Sequence, residues 1–161
     1  MEQVEHCMED VEVAKKFLYC ENLSLCIVKS GRVLFKSRAK GLSAFLSAID
    51  AFGAKLAGTS VADRIVGKAL ALLFIYVGVK AVYAQTLSLK AKMALENGGV
   101  KFEAAELVET ITCPEGGTCP FEVAVAEISN PSEAYVKIKE IQNILKEASL
   151  KGGNRVLEEK E

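Results

Sequence analysis

The sequence predicts a three-layer α/β domain, a mixed β-sheet with helices on both faces, and three observations predict it. A hairpin signal lies near the start, with two β-prone runs joined by Lys29-Ser30-Gly31. A strand–helix–strand crossover follows later, and a crossover of that size implies a parallel pair. Between them the run from Ala69 to Val79 is apolar on nearly every side, flanked by Lys68 and Lys80, and only a central position buries such a helix.

The elements are read in order. Val4, Met8, Val11, Ala14, Phe17 and Leu18 recur at steps of three and four, which is an amphipathic helix. Leu23 to Val28 and Arg32 to Lys36 are the hairpin strands, with Gly31 free to take positive φ between them. Gly41 to Phe52 is helical, with Leu42, Phe45, Leu46 and Ile49 on one face. Ser60-x-x-Asp63 has the form of a capping box, so the central helix is expected to begin at Ser60, run to about Tyr76 and stop at Gly78. Lys80 to Ala84 is a strand, Ser88 to Glu96 a helix closed by Asn97-Gly98-Gly99, and Val100 to Leu107 a strand. Asn130-Pro131 starts a last helix, with Asn130 as cap and Ala134, Ile138, Ile141, Leu145 and Ala148 on one stripe. Residues 1–150 form one domain in this reading, and 151–161 a flexible charged tail.

The bulk numbers exclude more than they select. Of 161 residues, 50% are apolar, enough for folding to be driven by burial alone. Twenty basic and 21 acidic residues leave a net charge of -1, which argues against general nucleic-acid binding. The longest apolar run is too short to cross a bilayer, and the acidic N-terminus is not a signal peptide, so no membrane is expected. Five cysteines at irregular spacing make a poor disulfide framework and suit a reducing cytoplasm.

Ser60 to Ala69, with its Asp63-x-x-x-Gly67-Lys68 pattern, and Cys119-Pro120-Phe121-Glu122 further on resemble a domain-of-unknown-function family of the cytidine deaminase-like superfamily. The resemblance spans about residues 21–140. It implies a fold, and it exposes a departure. Zinc deaminases of the superfamily place His-x-Glu or Cys-x-Glu at the start of the helix after the hairpin, and Pro-Cys-x-x-Cys at the start of the next. Read onto this sequence, the first helix opens with Val61-Ala62-Asp63 and the second near Gln85–Lys90, and neither has a histidine or cysteine. Cys7-Met8-Glu9 and Cys113-Pro114-Glu115 lie outside the expected positions. With fewer than three ligands no zinc ionises a water, so no metal or other cofactor is expected.

The candidate residues carry two readings each. Ser60, Asp63, Gly67 and Lys68 at the tip of the central helix form a candidate ligand site, where free amides and the helix dipole favour an anionic group. Equally, Asp63 caps, Gly67 allows close packing and Lys68 snorkels. Cys119 at a helix start is a candidate reactive thiolate, with Asp63 or Glu122 as proton carrier and Cys113 within reach for reversible pairing; otherwise it is a buried thiol. A metal site from Cys113, Cys119 and His6 matches no common zinc spacing. Lys29, Arg32, Lys36, Arg38 and Lys40 either attract phosphate or protect an edge hairpin from pairing.

The reading that absorbs most of this is a non-catalytic deaminase-like domain holding a small, nucleotide-like ligand. A metal-independent or redox enzyme using Cys119, and a structural homo-oligomer built on its helical faces, are the alternatives.

Overall fold

The structure, a computed structural model, describes the backbone of residues 2–112 and 116–160 and the side chains of residues 10–112 and 116–150. Cys113-Pro114-Glu115 and the side chains of His6, Cys7, Met8 and Glu9 lie outside these residues.

The chain runs α1 (Glu2–Cys20), β1 (Leu25–Lys29), β2 (Arg32–Ser37), α2 (Ser43–Phe52), a 3-10 turn (Gly53–Leu56), β3 (Ser60–Val66), α3 (Lys68–Val77), β4 (Ala81–Ser88), α4 (Leu89–Asn97), β5 (Lys101–Val108), α5 (Pro120–Ala124) and α6 (Pro131–Lys160). The five strands form one mixed sheet in the order β2-β1-β3-β4-β5. β1 is antiparallel to both its neighbours, while β3, β4 and β5 are parallel. The expected hairpin turns through Ser30 and Gly31, both at positive φ (52° and 77°). Asp10 of α1 holds that turn, its carboxylate accepting from the Ser30 and Gly31 amides at 3.0 and 2.8 Å.

Helices cover both faces of the sheet. On one side Ala14 and Leu18 of α1 pack with Leu23 against Cys26, Val28, Ala62 and Tyr83. On the other, Phe45 and Leu46 of α2, Leu73 and Phe74 of α3 and Leu95 of α4 close over Leu25, Ile27, Val61 and Val82. The apolar run becomes α3, with Ala69 to Phe74 all buried. α6 lies against α3 through Ala134 and Ile138, and Tyr76 stacks on Tyr135 with ring centroids 4.5 Å apart. The outer part of the expected α6 stripe differs, because Leu145 is exposed. The helix also continues through Gly152 and Gly153 to Lys160, over residues that the sequence reading assigns to a tail.

One expectation is overturned. Ser60 does not start a helix; Ser60–Val66 is strand β3, at the middle of the sheet. The capping-box pattern is met by accident. The first four residues of β3 are buried and show no alternation, and only Gly67 and Lys68 separate the strand from the apolar run that follows. Ser60 is 1% exposed within that strand and is not the N-cap of α3. The boundary is Gly67, whose extended backbone (φ −101°, ψ −179°) is the N-cap of α3. Gly78 in the left-handed region ends the helix as expected.

Candidate ligand cleft

The parallel strands β3 and β4 deliver their chains to the N-termini of α3 and α4 on one edge of the sheet. In open α/β sheets, crevices at the carboxyl ends of parallel strands are where ligands sit. A cavity of about 200 Å³ lies there, lined by Lys68, Ser88, Lys90, Glu109, Thr118 and Glu122 among others.

The tip of α3 decides what this cavity can be. Gly67 has no side-chain acceptor, so the first amides of α3 need a partner from elsewhere. Glu122 of α5 supplies it. Its Oε1 accepts from the Lys68 amide at 2.8 Å and its Oε2 from the Ala69 amide at 2.7 Å. A carboxylate on two helix-terminal amides is the arrangement that an exogenous anion would adopt. The glycine is required for it. A Cβ added at Gly67 would stand 2.8 Å from Glu122 Cδ and closer still to Oε1. Lys68 then reaches over α5, donating from Nζ to the Ala126 carbonyl at 3.0 Å.

The sequence candidates therefore separate. Gly67, Lys68 and Glu122 come together, with Glu122 as the cap of another helix. Ser60 and Asp63 lie on β3 and are not among the residues that line the cavity. Asp63 is 9% exposed, and its Oδ1 accepts from the Ile65 amide at 3.1 Å. Burial pushes its carboxyl up to about 8, while the backbone amides of Ile65 and Arg64 pull the other way. Cys119 is half-buried at the N-cap of α5. That helix has only five residues, so the dipole expected to act on the thiol is small. Of the other described thiols, Cys26 is pushed up to about 11 by burial, which makes it inert.

Arg64 is not among the sequence candidates. From β3 it donates Nε to the Leu23 carbonyl at 2.8 Å and Nη2 to the Leu18 carbonyl at 3.0 Å, while Nη1 reaches Gln85 Oε1 at 3.1 Å. It thereby satisfies carbonyls around the end of α1. The signal available was a lone cation inside an apolar strand, since a charge there must be paired.

The deaminase-like resemblance implies a zinc ion between the tips of the helix after the hairpin and the next helix. In the observed fold those helices are α2 and α3, not the segments opening at Val61 and near Gln85. The tips read Gly41-Leu42-Ser43-Ala44 and Gly67-Lys68-Ala69. Neither carries a thiol, imidazole or carboxylate of its own, Lys68 adds a cation, and Glu122 is already bound to two amides. This donor set does not fit zinc.

Fold and site together define a mixed-sheet α/β domain whose central helix is capped in trans by a carboxylate of the same chain. The chain belongs to the TM1506 family, domain of unknown function DUF1893, whose family model matches residues 13–142. It is similar to a DUF1893 family protein (TM1506) from Thermotoga maritima, known from a crystal structure. That likeness has TM-score 0.72 and 26% identity, over 83% of this chain and 88% of that one. Weaker likenesses are to an apo dCMP deaminase from the cyanophage S-TIM5 (TM-score 0.44, 15% identity, 62% of this chain and 97% of that one) and to Acinetobacter baumannii RibD (0.41, 20%, 65% and 36%). No curated protein matches the chain.

Proposed function

We propose that the chain is a binding domain for a small nucleobase- or nucleotide-like ligand, held in the cleft beside the α3 and α4 tips, with no catalytic metal. One observation carries this reading: the cleft is built at the carboxyl ends of the parallel strands, yet the helix tip within it is filled by Glu122. An anion therefore gains little at α3, and recognition falls to the other lining groups.

Those groups are mixed. Lys90 carries donors, the hydroxyls of Thr110 and Thr118 can donate or accept, and the Glu109 carboxylate is an acceptor. A heterocycle edge with both donors and acceptors matches that set better than a bare phosphate does. Size points the same way. A cavity of about 200 Å³ is smaller than the roughly 300–1,000 Å³ of drug-sized sites, so it encloses one ring system and leaves the rest of a nucleotide outside.

Thermal unfolding in the presence of natural nucleobases, nucleosides and nucleoside monophosphates tests the reading. At least one compound is expected to raise the melting temperature, and Lys90→Ala is expected to remove the rise. A flat response over the whole panel contradicts the proposal.

A further inference from the structure

We infer that this chain forms a symmetric dimer by antiparallel pairing of its β5 edge strands, joining two five-stranded sheets into one. Among the described residues, β5 is an edge strand paired with β4 alone. Among the described residues, no backbone hydrogen bond outside that pairing involves residues 101–108. Lys101, Glu103, Ala105, Glu106 and Leu107 are exposed, and the strand contains no proline. An edge of eight residues left open in this way is a template for another strand.

The opposite edge is protected. β2 carries a bulge, its register against β1 shifting between Ile27 and Val28, and it presents Arg32 and Lys36. Pairing β2 with itself would bring cations together. β5 has no bulge, and its exposed charges are of both signs.

The charge pattern of β5 selects a second copy and a register. Opposite residues in an antiparallel pair point to the same face, and a two-fold axis normal to the sheet preserves faces. Each allowed register therefore sets one residue opposite itself, and those centred from Glu103 to Glu106 overlap more than half of the strand. Centring on Glu103 or on Glu106 opposes like charges, Glu103 with itself in the first case and with Glu109 in the second. Centring on Ala104 puts Phe102 against Glu106 and pairs no charges. Centring on Ala105 puts Phe102 opposite Val108, sets Glu103 against Leu107, and brings Lys101 opposite Glu109, the residue just after the strand, twice by symmetry. Opposite charges and apolar pairs facing each other are the units that stabilise a sheet. The small Ala105 side chain meets its own copy on the axis.

The chain's molar mass in solution is the first readout, with twice 17.3 kDa expected from light scattering. Ala105→Cys locates the contact. Facing residues of an antiparallel pair have Cα atoms about 4.5–5.5 Å apart, within disulfide range, so mild oxidation should cross-link Ala105→Cys dimers reversibly and leave the wild type, with its own cysteines, uncross-linked. Lys101→Glu sets like charges opposite at both ends and should weaken dimerisation roughly tenfold, while adding Glu109→Lys should restore it. Two results overturn the inference: a wild type that stays monomeric at all accessible concentrations, or a dimer whose Ala105→Cys variant does not cross-link.

Discussion

Glu122 and Lys68 lie 54 residues apart in sequence, and the carboxylate of one accepts the backbone amide of the other at 2.8 Å. With the second oxygen on the Ala69 amide, Glu122 caps a central helix that has only glycine at its own N-cap. Charge-assisted contacts of this kind are short and strong. Glu122→Gln should retain one acceptor and cost about 1 kcal/mol, and Glu122→Ala about 2 kcal/mol, by analogy with the loss of an N-cap. Urea denaturation of both variants checks the order. Equal stability of Glu122→Ala and wild type would show that the cap contributes nothing.

Gly67→Ala tests the close approach. The backbone there has φ −101°, which any residue adopts, so strain in the dihedral is not the issue. The obstacle is the Glu122 carboxyl group. Overpacking of this kind costs about 1–3 kcal/mol. In a Glu122→Ala background the same substitution should be nearly free, and a double-mutant cycle measures that coupling. Additive effects would place the clash elsewhere.

Asp63 makes a prediction about pH. Burial disfavours the charge and pushes its carboxyl up to about 8 in the folded chain, against 3.8 for an unperturbed aspartate. Below 3.8 both states hold the proton and stability is unaffected by it. As pH rises, the unfolded chain ionises first, and this group withdraws stability at about 1.4 kcal/mol per pH unit until the folded carboxyl also ionises. Asp63→Asn keeps an acceptor for the Ile65 amide and removes the titration. Its stability relative to wild type should therefore grow by about 2–3 kcal/mol between pH 5 and 7. A difference that does not change with pH contradicts a neutral Asp63.

Arg64→Ala should uncouple α1 from the sheet. Hydrogen bonds from a charged group are worth about 1.5–3 kcal/mol, and Arg64 donates to Leu18, Leu23 and Gln85 from a partly buried position. Faster hydrogen exchange confined to α1 is the expected signature. Arg64→Lys should not rescue it, since one ammonium cannot span the sites that the planar fork reaches.

These groups show where a sequence can be read and where it cannot. The hairpin at Ser30-Gly31, the stop at Gly78 and the cap at Asn130 were legible because each rests on local chemistry. Asn130 Oδ1 accepts from the Glu133 amide at 3.0 Å, as its position predicts. β3 was not legible. Its first four residues are all buried, so no alternation announces the strand, and the Ser60-x-x-Asp63 pattern has the form of a helix start. The candidate site was half legible. Gly67, Lys68 and Glu122 were singled out, but nothing in the sequence says that Glu122 reaches across to cap α3. That contact depends on where α5 packs, a long-range consequence of the fold. Arg64 falls in the stretch whose pattern predicts a helix, so its place in a strand, where the charge needs partners, does not show in the sequence.

Amide spectra during a nucleotide titration test the central claim most directly, since they report the helix tip and the cleft separately. With the four ribonucleoside monophosphates added in turn, the account predicts shifts at Lys90, Thr110 and Thr118 for at least one compound, and unmoved Lys68 and Ala69 amides, which keep Glu122 as their acceptor. If the largest changes fall on Lys68 and Ala69 instead, the ligand has displaced the carboxylate and the account is wrong.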